Sequence, residues 1–215
     1  MKFEKTEVWG FEHAIRGMRN PLESWDKSDS CYIDKRFNDQ FHIGKNDLAL
    51  MQKLIKAGSE HRKFLRQIFV AVDITAPLFW WKEFDTYKVG TVSNSTSTMH
   101  KLASTPITID CFEMDDFEDC KDDSNVYVSA IWIESITRLE KLRQTYNATR
   151  DKRYWKELIR LLPESWLQKR TITMNYENIL NMYWQRKNHK LTEWSESFCD
   201  WVKTLPYAEE LICLE

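Results

Sequence analysis

Residues 68–79, IFVAVDITAPLF, decide the fold class of this chain. Residues 68–74 are mostly β-branched and apolar, and Ala76-Pro77 ends the run, so this segment predicts a strand. Pro77 suits the first turn of a helix, and residues 78–87 continue with a bulky apolar face. The centre of the chain is therefore predicted to be a strand that leads directly into a helix.

Apolar patterns on both sides of this segment predict further elements. Before it, we expect an amphipathic stretch at residues 11–18, a helix at residues 48–56 capped by Asn46 or Asp47, and a short polar helix at residues 60–66. After it, we expect a polar loop at residues 90–98, a strand at residues 171–174, and helices at residues 129–145, 152–162, 176–187 and 193–203. Strands and helices neither alternate regularly nor form separate blocks, which predicts an α+β class with mixed helices and a small sheet. No repeat or flexible linker interrupts the chain, so residues 1–215 are predicted to form a single domain.

The composition narrows the possible functions. Lys and Arg number 31 against 33 Asp and Glu, so the chain lacks the basic excess of a protein that grips nucleic acid. Its 5 glycines form no G-x-G-x-x-G or Walker pattern, which argues against a Rossmann or P-loop site. The N-terminus has no apolar signal-peptide region, and no apolar run is long enough to span a membrane. We therefore expect a cytoplasmic protein that binds neither membranes nor nucleic acid.

Two features that often indicate metal binding have a simpler interpretation. The five cysteines have no C-x-x-C spacing and an odd count, as expected of reduced thiols in the cytosol. Residues 115–123, DDFEDCKDD, form an acidic run whose spacing fits no EF-hand, so a solvated charged loop is the better interpretation. We expect no metal site.

The placement of arginines allows two interpretations. Glu157 and Arg160 lie three residues apart on one predicted helix, and Arg186 lies at the end of another. An i, i+3 pair of this kind usually forms a surface ion pair worth only a few tenths of a kcal/mol. The alternative is a planar, permanently charged fork directed at a phosphate or at the edge of a uracil ring. The spacing alone favours the surface ion pair.

Three blocks of sequence, taken together, change this balance. In the first, Thr86-Tyr87-Lys88 is followed by seven residues, then by Thr96, and two positions later by Thr98. The second block, residues 157–163, reads ELIRLLP. The third, residues 173–181, reads TMNYENILN and leads to Arg186, with Trp194 beyond it.

In order and separation, these blocks resemble the flavin-dependent thymidylate synthases. The signature of that family is R-H-R, seven residues, Ser and a further Arg two positions later, and its second pattern is E-x-x-R-x-x-L-P. The resemblance covers most of the chain after residue 14. It implies the α+β fold of that family and an assembly of four identical subunits.

The resemblance also implies a role for each matched residue. Those that would bind a pyrimidine nucleotide are Glu83, Asn94, Thr96, Thr98, Glu157, Arg160 and Arg186. Those that would bind the flavin are Gln67, Thr86, Tyr87, Lys88 and Asn175. Of the nucleotide-binding residues, Thr96 and Arg186 would also be catalytic. Thr96 stands at the position of the family serine and keeps a hydroxyl group, on a stiffer, β-branched side chain.

The implied activity is the reductive methylation of dUMP, with FAD as cofactor, methylenetetrahydrofolate as carbon donor and NADPH as reductant. Three positions depart from the family pattern. Thr86 and Thr98 each lack the charge of an arginine, and Lys88 keeps a charge without the bidentate fork. These departures favour an alternative, a non-catalytic nucleotide-binding homologue that has lost its flavin. A third possibility is an enzyme of the same architecture that acts on another nucleotide or a modified base.

Overall fold

The computed structural model describes residues 1–33, 40–115 and 117–214, and these residues form a mixed α+β fold, as predicted. The strands are β1 (Lys2–Trp9), β2 (Cys31–Ile33), β3 (Gln40–His42), β4 (Phe69–Pro77), β5 (Val92–Ser95) and β6 (Leu167–Asn175). The α-helices are α1 (Phe11–Arg19), α2 (Lys45–Lys56), α3 (Leu78–Phe84), α4 (Thr98–Lys101), α5 (Val128–Thr149), α6 (Lys152–Arg160), α7 (Tyr176–Arg186), α8 (Cys199–Lys203) and α9 (Ala208–Leu211). Shorter 3₁₀ helices cover Asn20–Leu22, Trp25–Lys27, Lys63–Gln67 and Ile109–Cys111, and Glu193–Phe198 is a π-helix.

Strand β4, predicted from its sequence, lies inside a four-stranded sheet of order β1-β4-β6-β5. Its residues alternate between buried and half-buried, with Val70, Val72 and Ile74 essentially inaccessible to solvent. This two-residue period is the pattern expected of a strand within a sheet. Strands β2 and β3 form a separate antiparallel pair, in which Cys31 lies opposite His42.

The chain is organised as two compact units. The α5 unit comprises residues 1–2, 74–86 and 94–170, and the α7 unit comprises residues 3–73, 87–93 and 171–215. The assignment of residues 1–215 to a single domain stays a prediction.

Each unit has its own apolar core. In the α5 unit, the described residues of one buried cluster are Leu102, Ile107, Phe112, Leu139 and Leu158. The α7 unit buries an aromatic series in which Phe198 lies 5.2 Å from Trp194 and 5.7 Å from Trp201, measured between ring centroids. Much of the high aromatic content therefore belongs to the interior of the fold.

Helix α2 begins at Lys45 rather than at residue 48, and neither Asn46 nor Asp47 is its N-cap. Gly44 occupies the cap position, and the Asp29 carboxylate accepts hydrogen bonds from the backbone N–H groups of Asn46 (2.9 Å) and Asp47 (3.1 Å). The predicted cap was wrong because a side chain from outside the helix satisfies these two donors. The Asp47 carboxylate is consequently available for other partners.

Those partners form a buried polar cluster around Asp47, whose side chain is 0% exposed. Its Oδ1 accepts a hydrogen bond from Arg19 Nε at 2.6 Å, and its Oδ2 accepts bonds from the hydroxyls of Ser28 (2.7 Å) and Ser30 (2.6 Å). Burial acts to raise the pKa of Asp47, but the hydrogen bonds from Ser30, Ser28 and Arg19 outweigh it, so this pKa lies below its ordinary value. The cluster thus keeps a charged carboxylate inside the α7 unit.

Other boundaries also differ from expectation. Helix α3 ends at Phe84 rather than at residue 87, because both the backbone N–H (3.1 Å) and the hydroxyl (2.7 Å) of Thr86 donate to the Glu83 carbonyl. The polar loop predicted at residues 90–98 is instead strand β5 and the start of α4. Every residue of β5 is exposed and the strand lies at the sheet edge, so its short hydroxyl side chains need no apolar alternation.

The remaining predicted elements are present with adjusted limits. Helices α1, α5, α6 and α7 and strand β6 occupy the predicted positions, and β6 is longer than residues 171–174. The polar helix expected at residues 60–66 is the 3₁₀ helix Lys63–Gln67. The helix expected at residues 193–203 is the π-helix followed by α8.

A carboxylate on α5 connects this helix to the preceding loop of the α5 unit. Glu140 accepts hydrogen bonds from Arg143 Nε (2.7 Å) and Nη2 (2.6 Å), from the Ile107 N–H (2.8 Å), and from Gln144 Nε2 (2.9 Å). Arg143 also donates to the Ala103 carbonyl at 3.2 Å. The hydrogen bond from Arg143 is the main reason that the pKa of Glu140 falls from 4.5 to about 2.

We expect this group to make stability depend on pH in the acid range. Because the folded pKa of Glu140 is depressed, its contribution is complete above pH 4.5 and is lost as the pH falls toward about 2. Denaturant unfolding of the wild type and of Glu140→Gln, at about pH 7 and about pH 3, measures this contribution. The difference in unfolding free energy between the two proteins should shrink at the lower pH, and an unchanged difference would contradict this assignment.

Candidate functional site

One connected group of predicted site residues lies in the α7 unit, at the end of α7. A capping box starts this helix: the Asn175 side chain accepts from the Asn178 N–H (3.0 Å), and the Asn178 side chain accepts from the Asn175 N–H (3.2 Å). Arg186 is the last residue of the helix. The cap defines where α7 begins, and the helix length then sets where Arg186 emerges.

Arg186 is held between aromatic side chains. Its Nε donates to the Tyr87 hydroxyl at 2.9 Å, and that hydroxyl donates in turn to Gln185 Oε1 at 3.0 Å. The guanidinium carbon lies 4.8 Å from the ring centroid of Trp194 and 5.6 Å from that of Tyr87. These contacts hold a planar cation in place, and a guanidinium fixed in this way suits recognition of an anionic or carbonyl-rich ligand.

The segment that carries Tyr87 is fastened to α7 at a second point. Asn178 Nδ2 donates to the Val89 carbonyl at 2.7 Å. Gly90 adopts a positive φ of 79°, and a Cβ atom there would lie 3.0 Å from the side chains of both Asn175 and Asn178. The close approach of this segment to the start of α7 therefore requires glycine at position 90.

A pocket of about 470 Å³ in this unit adjoins the Arg186 group through Gln185. Its lining residues are Ile55, Lys56, Arg62, Leu180, Asn181, Trp184, Gln185 and Leu214. The volume lies within the range of roughly 300–1,000 Å³ that small-ligand sites occupy. Apolar side chains, one indole, two cations and two amides thus surround a space suited to a small organic anion.

The positively charged side chains around this pocket outnumber the carboxylate that pairs with two of them. Arg62 donates to Glu177 Oε1 at 3.3 Å and to Asn181 Oδ1 at 3.0 Å. Arg66 binds the other oxygen of Glu177, so two guanidinium groups share one buried carboxylate. Lys56 adds a further positive charge to the lining. The local charge therefore favours a ligand that carries a phosphate or carboxylate.

None of the residues that line this pocket is among the site residues predicted from the sequence. Asn181 belongs to the third block, and it lies one turn before Gln185 on α7, so its spacing was an available signal. Lys56 and Arg62 lie in polar segments that look like ordinary solvated surface. Nothing in their local pattern indicated a ligand.

In the α5 unit, Thr96 follows the edge strand β5. Its N–H donates to the Lys169 carbonyl at 2.9 Å, and its carbonyl accepts from Gln168 Nε2 at 2.8 Å. Asn94 is exposed on β5, and Thr98 is the half-buried first residue of α4. These three positions lie within five residues of one another, and their nucleotide-binding roles stay predictions.

Glu157 and Arg160 form an ion pair with each other on the surface of α6, in the same unit. The Arg160 side chain is 60% exposed, so its guanidinium is accessible to a ligand. Glu83 is half-buried on α3. This geometry agrees with a surface ion pair and leaves the binding role of Arg160 a prediction.

The predicted flavin residues do not form one cluster within a unit. In the α7 unit, Lys88 and Gln67 are exposed, the Asn175 side chain serves the helix cap, and Tyr87 binds Arg186. Thr86, in the α5 unit, is exposed and donates its hydroxyl to a backbone carbonyl. From this set, Tyr87 is hydrogen-bonded to Gln185, which lines the 470 Å³ pocket.

Within the described residues, no group of three or more His, Cys, Asp and Glu side chains is arranged to hold a metal ion. No helix in that part of the chain is both long and apolar enough to cross a membrane. Asp116, in the acidic run, lies outside the described residues. Elsewhere in the run, Asp119 accepts from the N–H (3.0 Å) and the hydroxyl (2.8 Å) of Ser129 at the start of α5.

No protein-family model matches this chain, and no curated protein matches its sequence. Solved structures do match. A crystal structure of the flavin-dependent thymidylate synthase ThyX from Helicobacter pylori, complexed with FAD and dUMP, is similar over 100% of both chains, with a TM-score of 0.69 and 17% sequence identity. A second structure of ThyX from Helicobacter pylori with FAD and dUMP covers 99% of this chain and 97% of its own, with a TM-score of 0.71 and 16% identity. The chain therefore has the fold of the flavin-dependent thymidylate synthases, and the fold expected from the three sequence blocks is confirmed.

Proposed function

We propose that this chain is an FAD-dependent, thymidylate synthase-like enzyme that methylates dUMP reductively. One observation carries the proposal: Arg186, held by Tyr87 and Trp194, emerges beside a cationic, amide-lined pocket. The two ThyX structures described above, which share this fold, contain FAD and dUMP. We extend the same ligand classes to this chain, with methylenetetrahydrofolate and NADPH as co-substrates.

In this proposal, the charged residues bind and orient the nucleotide. Arg186 presents its guanidinium edge to the pyrimidine, where a carbonyl oxygen accepts hydrogen bonds that strengthen as negative charge develops on the ring. Arg160 binds the phosphate and Glu157 orients its guanidinium. Thr96 supplies a hydroxyl group near the ring, with Asn94, Thr98 and Glu83 as further nucleotide contacts.

The donor set of the α7 unit fits a flavin nucleotide. Lys56 and Arg62 match its phosphates, Asn181 and Gln185 match the polar edge of a ring, and Trp184 offers an aromatic surface. Tyr87, Lys88, Asn175, Gln67 and Thr86 remain the flavin contacts implied by the sequence blocks. When bound, the flavin supplies the hydride chemistry, while the protein residues orient the nucleotide and exclude water. We further propose a cytoplasmic homotetramer.

Specific observations favour one alternative. Thr86 carries no charge and its hydroxyl is engaged by a backbone carbonyl, while the Asn175 side chain is engaged in the helix cap. A chain that binds a pyrimidine nucleotide without flavin or catalysis accounts for both. In that case Arg160 and Arg186 keep their nucleotide-binding role.

Flavin content separates the two proposals. The purified protein is denatured, and released flavin is measured by absorbance and fluorescence. We expect near-stoichiometric flavin, and then NADPH oxidation that depends on dUMP. A protein that contains no flavin and takes up none from excess FAD, yet binds dUMP by calorimetry, would establish the non-catalytic alternative. Binding of a different nucleotide with dUMP excluded would change the substrate assignment alone.

A further inference from the structure

The main chain at Thr96 is tied to strand β6 on both sides of the residue. The Thr96 N–H donates to the backbone carbonyl of Lys169, whereas the Thr96 carbonyl accepts its hydrogen bond from a side chain, the amide of Gln168. Gln168 is 8% exposed, so water competes poorly for that amide. The position of the Thr96 carbonyl therefore depends on how the Gln168 amide is oriented.

Arg170 fixes that orientation. Its Nε donates to Gln168 Oε1 at 3.0 Å. A guanidinium has only donors, so the amide oxygen must face Arg170, and the amide NH₂ group must then face Thr96. A flipped amide would lose both hydrogen bonds. The cation thus selects the one arrangement that holds Thr96.

Arg170 is itself held from two further directions. Its Nη1 donates to Asp85 Oδ1 at 2.7 Å, and its guanidinium carbon lies 4.2 Å from the ring centroid of Trp81. Trp81 is 1% exposed and donates its Nε1–H to the Gln168 backbone carbonyl at 2.9 Å. The contacts form a closed network within the α5 unit, in which each member limits the movement of the next.

We propose that Gln168, Arg170 and Asp85 are positioning residues for Thr96 and thereby set the affinity of the site for its pyrimidine nucleotide. The inference rests on the proposed function, in which Thr96 contacts the nucleotide. Thr86 and Thr98 lack the arginines of the family pattern, while Arg170 brings a guanidinium from β6 to Asp85, the neighbour of Thr86. The network therefore supports the segment around Thr96, whose motif supplies less positive charge than the family pattern does.

The variant Gln168→Glu tests this proposal, because glutamate has almost the same side-chain shape as glutamine. A carboxylate keeps the interaction with Arg170 but has no donor for the Thr96 carbonyl, and it repels that carbonyl. We expect hydrogen exchange of the Thr96 amide, followed by NMR in the ligand-free protein, to become about tenfold faster. Affinity for dUMP, measured by calorimetry, should fall by about tenfold. Arg170→Lys, which keeps the charge but loses the planar fork, should change both quantities in the same direction.

Gln52→Glu is the matched control. The Gln52 amide also donates to a backbone carbonyl, that of Glu210 at 3.4 Å, and its change of charge is identical. It should leave the exchange of Thr96 and the affinity for dUMP at wild-type values. Unchanged exchange at Thr96 in Gln168→Glu, or faster exchange with unchanged dUMP affinity, would overturn the inference. A wild-type chain that binds no pyrimidine nucleotide would instead overturn the proposed function, while the exchange data would still decide whether the network holds Thr96.

Discussion

Replacing Arg19 by methionine should lower the free energy of unfolding by about 3–5 kcal/mol, because it leaves a fully buried carboxylate without its counter-ion. Asp47 is 0% exposed and Arg19 only 4% exposed, and the two are joined at 2.6 Å. Methionine fills much of the arginine volume, so the loss is electrostatic rather than a cavity effect. Denaturant unfolding at neutral pH, followed by circular dichroism, measures the change.

The comparison variant is Arg138→Met, which breaks an ion pair with a similar N–O distance on the surface of α5. Arg138 and Glu134 lie 2.7 Å apart, with side chains 74% and 64% exposed. An exposed pair of this kind contributes less than about 1 kcal/mol, so this variant should unfold nearly like the wild type. If Arg19→Met were no more destabilising than Arg138→Met, the buried cluster would have no special role in stability.

Replacing Arg186 by alanine should weaken dUMP binding by about 30-fold to several hundredfold, equivalent to roughly 2–3.5 kcal/mol. The guanidinium is already held by Tyr87 and Trp194, so the wild type spends little free energy on ordering it when the ligand arrives. Arg186→Lys keeps the charge but not the bidentate fork, and its affinity should fall between those of the wild type and the alanine variant. Calorimetric titration with dUMP provides the measurement.

Arg153→Ala serves as the control for this series, because Arg153 is an 86% exposed arginine paired only locally with Asp151 among the described residues. Its affinity for dUMP should equal that of the wild type. Arg160→Ala, at the proposed phosphate contact, should also weaken binding. Wild-type affinity in both Arg160→Ala and Arg186→Ala would remove the site assignment altogether.

The central strand could be predicted from local sequence, whereas the edge strands could not. Strand β4 is buried along one side at alternate residues, and its β-branched run reflects that environment directly. Strand β1, KFEKTEVW, is mostly exposed and carries charges throughout, so its pattern resembles a loop. Its place in the sheet depends on pairing with β4, which is information from outside the segment.

The candidate site shows the same division between local and distant information. The end of α7 and the position of Arg186 follow from a local capping signal and a helical pattern. The bond between Arg186 and Tyr87 joins residues separated by 99 positions, and the sequence blocks assigned them to different ligands. Lys56 and Arg62 approach Asn181 and Gln185 only in the folded chain, so their contribution to the pocket had no local signature.

The double attachment of residues 87–90 to α7 has a thermodynamic consequence for binding. Asn178 holds Val89 near the start of the helix, and Gln185 and Arg186 hold Tyr87 near its end, about 10 Å further along the axis. Ordering a flexible backbone costs roughly 1–2 kcal/mol per residue, and here folding has already met that cost. A ligand that contacts this segment should therefore bind with a small entropic penalty and a favourable enthalpy, as a pre-organised site does.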